Sequence, residues 1–157
     1  MKNFRRAFTL IELVFVIVVV GILAAVALPK LAMTRDEATI TKAKTTVASV
    51  RNSLSIQRQK LILSGQFVCT DPALGNNDNI FDTFSYSGTG TDDCPDDDLV
   101  LNYSIPKCEG SYRGCWVMNG SKYSYRLPSS DKVVEFIVDH NRFVCDSSDK
   151  ELCKKLE

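Results

Sequence analysis

The chain has 157 residues, 45% of them hydrophobic, and equal numbers of basic and acidic side chains, 19 of each. That is room for one modest domain plus an extension. The zero net charge hides an asymmetry: residues 1–63 hold ten basic and three acidic groups, residues 64–157 nine and sixteen. Phosphate backbones recruit Lys and Arg, so an acidic distal part gives no support to direct nucleic-acid binding.

Residues 1–7 contain Lys2, Arg5 and Arg6 and no acid, and residues 8–28 are apolar apart from Thr9 and Glu12. As a helix rising about 1.5 Å per residue, that second stretch reaches roughly 31 Å, the thickness of a bilayer core. The basic flank predicts a cytoplasmic Met1, with the rest of the chain beyond the membrane. Two simpler readings compete with a retained, functional span. A secretory signal peptide has a shorter apolar core before a small-residue cleavage site. A plain anchor accounts for length and flank but leaves Glu12 unexplained. An ionisable group at the centre of a membrane helix costs about 2.5–3.5 kcal/mol on insertion scales, less near an interface, and marks function.

Ala7-Phe8-Thr9-Leu10-Ile11-Glu12-Leu13, followed by a Val/Ile/Ala run with Gly21 and Pro29, resembles the N-terminus of type IV prepilins and type II secretion pseudopilins. The resemblance covers about thirty residues, with basic leader, FTLIE, apolar run and proline in order. It implies that a membrane prepilin peptidase cuts between Ala7 and Phe8 and N-methylates Phe8. Glu12 becomes the fifth residue of the mature chain, and the apolar stretch is retained. The family's usual residue before the cut is Gly; here it is Ala7, the smallest side chain after glycine. The resemblance also implies a subunit contact in which Glu12 meets the Phe8 amine of a neighbour. Pro29 by itself reads as a kink at the end of the span. Loosening of the helix between Gly21 and Pro29 inside a filament is an implication of the resemblance alone.

Beyond Pro29 the pattern stays helical. Ile40, Ala43, Val47, Val50, Leu54 and Leu61 recur in steps of three and four, with Gln57 filling the missing step, and this predicts an amphipathic stripe. Lys42, Lys44, Arg51 and Arg58 are assigned to the opposite face. Ser64-Gly65 is a stop signal, so one helix is expected over residues 8–63, its outer half packed on a sheet of the same chain. Residues 65–99 lose periodicity; Asn76-Asn77-Asp78-Asn79 and Ser85-Tyr86-Ser87-Gly88-Thr89-Gly90 read as loop.

Strand signals return at residues 99–105. Cys115-Trp116-Val117-Met118, a turn at Asn119-Gly120 and residues 122–127 read as a hairpin. Residues 132–138 and 142–145 read as a second hairpin around Asp139-His140-Asn141. The expected fold is α+β: a long N-terminal helix on a small antiparallel sheet, pilin-like by resemblance. Its expected parts are a leader (1–7), a transmembrane and polymerisation helix (8–30), an amphipathic helix (31–63) and a disulfide-stapled head (64–157).

Six cysteines, Cys69, Cys94, Cys108, Cys115, Cys145 and Cys153, all lie in that head. An even number beyond a membrane span points to disulfides in an oxidising compartment. With no CxxC pair and a single His140, the spacing argues against zinc. Fifteen pairings are possible. Pairing of close neighbours is preferred, Cys108 with Cys115 and Cys145 with Cys153, the latter tying down a tail where Lys154 and Lys155 otherwise look frayed. Cys69 and Cys94 then remain for each other. Asp92, Asp93, Asp96, Asp97 and Asp98 form the densest charge cluster, read as a solvated acidic loop with calcium as the alternative. The spacing does not match an EF-hand loop, but some secretion pseudopilins hold calcium in a head loop. No catalytic constellation accompanies His140, and Trp116, Tyr123, Tyr125 and Phe136 read as packing residues.

The resemblance implies a non-enzymatic filament subunit seated in the bacterial inner membrane. Implied partners are prepilin peptidase, an inner-membrane platform protein with an assembly ATPase, and other pilins. The alternative is a minor tip pilin acting as a binding module for a surface, DNA uptake or calcium-dependent contact.

Overall fold

The computed structural model describes residues 8–76, 79–87, 93–95, 98–103, 105, 108 and 112–157, the side chain of Ala32 excepted. Two compact units divide the chain, Met1–Glu37 and Ala38–Glu157. The first helix, α1 (Leu10–Leu63), contributes to both and runs on through Pro29. Pro29 therefore lies inside a helix, and the carbonyl four residues before it has no N–H to accept.

Within the second unit, Ala43, Val47, Val50, Leu54 and Leu61 of α1 are buried, together with the polar Thr46 and Gln57. These are the positions that steps of three and four select. The polar pair is satisfied: Thr46 donates to the Lys42 carbonyl at 3.1 Å and Gln57 Nε2 to Asp98 Oδ2 at 3.1 Å. Arg51 and Arg58 depart from their assignment to the solvent face, since both are half-buried. Long side chains lay an apolar stem along neighbouring surface before presenting their charge, which a helical wheel does not register.

The stripe shares one core with an antiparallel four-stranded sheet: β3 (Cys115–Asn119), β4 (Lys122–Arg126), β5 (Val133–Asp139) and β6 (Arg142–Cys145), in that spatial order. Both expected hairpins are present, the first shifted by one residue. Asn119 pairs with Lys122, so the turn is Gly120-Ser121, with Gly120 at φ 60°. Asp139 pairs with Arg142 across His140 and Asn141, both left-handed at φ 49° and 56°. A two-residue turn with two positive φ values matches the strand twist. It is pinned from outside by Asp71, whose N–H donates to Asn141 Oδ1 and whose Oδ1 accepts from the Asn141 N–H. Trp116, Tyr123, Tyr125 and Phe136 are all buried.

The stretch read as loop contains a second sheet of β1 (Ala73–Gly75) and β2 (Ile80–Ser85), with a register irregularity between Leu74 and Gly75. It extends the core: Phe81 is buried and stacks on Tyr123 at 5.3 Å while meeting Trp116 edge-on at 5.2 Å. Phe81 does so with φ 59°, a conformation rare for a bulky residue. Tyr123 ties the sheets together, its hydroxyl oxygen accepting from the Leu74 N–H at 2.6 Å. The strand expected over residues 99–105 is reduced to isolated bridges, Thr83 with Leu99 and Ile80 with Ile105.

Cys69–Cys94, Cys108–Cys115 and Cys145–Cys153 are joined, which is the close-neighbour pairing. The Cys145–Cys153 bridge ties down the tail. A short helix, α2 (Lys150–Lys154), begins at Asp149, whose carboxylate accepts from the Glu151 N–H, and Leu152, Cys153 and Leu156 are buried.

Candidate assembly segment

Helix α1 opens with a cap that the sequence carries in plain view. Thr9 precedes the first helical residue, and its hydroxyl oxygen accepts from the Glu12 N–H at 3.4 Å. The Thr9 carbonyl also accepts from Glu12 and Leu13. Thr-x-x-Glu is the capping-box pattern, which supplies acceptors to first-turn N–H groups left without intrahelical partners. Glu12 therefore stands in the first turn, where the helix dipole favours an anion, not at mid-span. In sequence Thr9 reads as a polar interruption of the apolar run, and the signal that marks it as a cap is the three-residue spacing to Glu12.

Downstream of the cap the apolar side chains of the segment are exposed. Phe8 is 76% exposed, Leu10 81% and Leu28 66%, and the valines, isoleucines and leucines between them are exposed as well. Its most apolar 18-residue window is wholly unburied, in a helix long and apolar enough to cross a membrane. Single exposed apolar residues are ordinary on soluble proteins, but a continuous run of this size marks a membrane or protein contact. A Cβ added at Gly21 meets nothing within 4 Å, so packing inside this chain does not require glycine there. Ala7 of the expected processing junction lies outside the described residues, whereas Phe8, Glu12, Gly21 and Pro29 lie along the exposed segment.

Of the five candidate calcium ligands, Asp92, Asp96 and Asp97 lie outside the described residues. Asp93 is exposed. Asp98 is engaged elsewhere, with Lys60 Nζ 2.8 and 2.7 Å from its two carboxylate oxygens and Gln57 on one of them. The Lys60 hydrogen bond holds the Asp98 carboxyl below its ordinary value of 3.8, against an opposing push from partial burial. Among the described residues no group of three or more His, Cys, Asp and Glu is placed to hold a metal ion. His140 sits exposed in its turn, with Nδ1 2.8 Å from Asp139 Oδ1. The buried tyrosines are structural. Burial pushes the Tyr125 hydroxyl up to about 12, and the group donates to the Thr39 carbonyl at 3.2 Å.

The family model described as the prokaryotic N-terminal methylation motif matches residues 2–28. No curated protein and no solved structure matches the chain. The chain thus carries the prepilin-type signal of type IV pilins and pseudopilins on an α+β, pilin-like layout. Such a signal marks pilin-like and pseudopilin subunits, which are structural proteins. It implies processing by prepilin peptidase and assembly with other pilins in a membrane machinery.

Proposed function

We propose that the protein is a structural subunit of a type IV pilus-like or type II secretion pseudopilus filament. The carrying observation is the fully exposed apolar segment that begins with a capped, acidic first turn and coincides with the methylation motif. Cleavage between Ala7 and Phe8 leaves an N-methylated, cationic Phe8 as the new terminus. Until assembly the subunit spans the bacterial inner membrane once, with that terminus cytoplasmic and the head periplasmic. A platform protein and its ATPase extract it into a fibre, exposed at the cell surface in the pilus case.

In the fibre the apolar faces of neighbouring α1 segments replace lipid. Glu12 has no cationic partner in its own first turn beyond the new amine, and an unpaired charge in low dielectric is strongly penalised. Pairing Glu12 with the Phe8 amine of an adjacent subunit removes both charges together and sets the stagger between subunits. Gly21 and Pro29 mark the stretch where α1 is least strongly helical, and there it loosens within the fibre. Glu12→Ala tests the reading. The variant is expected to insert in the membrane at normal levels, be cleaved, and yield no filaments. Filaments in normal number and length from it would refute the pairing.

A further inference from the structure

Of the eight asparagines in the chain, Asn119 alone is followed by glycine. Asn119 ends β3, Gly120 opens the turn into β4, and residues 119–122 are all exposed. Among the described residues the Asn119 side chain has no hydrogen-bond partner and the Gly120 N–H makes no backbone hydrogen bond. Glycine carries no Cβ to screen its own nitrogen, and no neighbour lies within 4 Å of where a Cβ would stand. The Asn119–Lys122 pair is the last of the β3–β4 ladder, and a terminal pair opens at little cost. Asn141 also occupies a two-residue turn, but its amide oxygen and its N–H are both held by Asp71, and Arg142 follows it.

We propose that Asn119 is a site of spontaneous covalent modification, closing on Gly120 and converting to a carboxylate. The Gly120 nitrogen gives its proton to hydroxide and attacks the Asn119 side-chain carbonyl carbon. A C–N bond forms, the bond from that carbon to Nδ2 breaks, and ammonia leaves after taking a proton from water. Water then opens the cyclic imide at either carbonyl, giving aspartate or isoaspartate. Water is the only co-reactant, and nothing is oxidised or reduced.

The two products differ in their effect on the hairpin. Aspartate keeps the chain length and sets a carboxylate directly across from Lys122, whose Nζ lies 3.4 Å from Asp146 and 3.5 Å from Glu135. Opposite charges facing each other across a strand pair attract. Isoaspartate routes the main chain through the side-chain methylene, so the turn gains a backbone atom and the closing pair loses its register. Either product adds a negative charge to the exposed tip of a hairpin.

The test incubates the freshly purified full chain in detergent micelles at mildly alkaline pH, with peptide mapping by mass spectrometry over time. Asn119 should exchange ammonia for water ahead of every other asparagine, through an ammonia-loss intermediate, and faster as pH rises. Its rate should lie within about a hundredfold of that in a free peptide of residues 117–122. Gly120→Ala should slow it about tenfold or more. Earlier conversion of another asparagine, or a rate further below the peptide's, overturns the inference. So does an unchanged rate in Gly120→Ala that keeps the wild-type dichroism spectrum. A sugar carried on Asn119 from the start would make Asn119-Gly120-Ser121 a glycosylation acceptor and overturn it as well.

Discussion

Removing the three disulfides one pair at a time should produce unequal losses, set by the length of chain each closes. Cys69 and Cys94 are 25 residues apart, Cys108 and Cys115 are 7, and Cys145 and Cys153 are 8. Chain-entropy arithmetic assigns about 3.5 kcal/mol to the longest loop and about 2.4 kcal/mol to each short one. Burial acts in the same direction, because Cys69 and Cys94 are both buried while Cys108 and Cys115 are half-buried. At roughly 2–4 °C per kcal/mol for a chain of this size, the double Cys→Ala variant of the first pair should melt about 7–14 °C below wild type. The assay is thermal unfolding of the full chain in micelles, followed by near-ultraviolet dichroism of the buried Trp116 cluster. A Cys69/Cys94 variant that loses no more than the Cys108/Cys115 variant would refute the reasoning.

Three further outcomes follow from single contacts. A Cβ at Gly75, held at φ 88°, would sit 2.1 Å from the Asn79 carbonyl oxygen, so Gly75→Ala should cost about 2 kcal/mol or more. Gly120→Ala, where nothing lies within 4 Å, should cost only the left-handed penalty of about 1 kcal/mol, and equal melting temperatures for the two would contradict this. Tyr123→Phe leaves the buried Leu74 N–H without its acceptor and should lower stability by about 1–3 kcal/mol in denaturant titration. The folded-state pKa of Asp98 is depressed below 3.8, so its contribution is complete above 3.8 and fades as pH falls through the lower folded value. Asp98→Asn should flatten that part of the stability–pH profile, and an unchanged acid limb would show that the Lys60 pair carries no weight.

What the sequence showed, and what it hid, divides along physical lines. The buried face of α1 was legible because Ala43, Val47, Val50, Leu54 and Leu61 keep helical spacing over five turns. The β3–β4 and β5–β6 hairpins were legible through alternation and turn residues. The small β1–β2 sheet was not. β1 has three residues and an irregular register, and Phe81 enters the core from a left-handed backbone, so no period of two survives. Residues 99–105 carry strand-like residues, yet among the described residues they form only two isolated bridges, because pairing partners, not propensity, decide a strand. Helix α2 is one turn long, shorter than any periodic signal. In the candidate site, Glu12 stood out because a charge in an apolar run is conspicuous. Its capping partner Thr9 was hidden because a lone hydroxyl at the edge of an apolar run does not interrupt a membrane span. On the head, the half-burial of Arg58 was hidden because wheel position says nothing about where a long side chain ends.

The central claim is that this chain is processed to a mature subunit that begins at Phe8. Mass spectrometry of the N-terminal peptide, in membranes and in the sheared cell-surface fraction, tests it most directly. The account predicts a peptide starting at N-methylated Phe8 in the membrane fraction, joined by the same peptide in the sheared fraction if the fibre is extracellular. A peptide still carrying residues 1–7 in every fraction would contradict it, and would leave the apolar segment as an ordinary anchor.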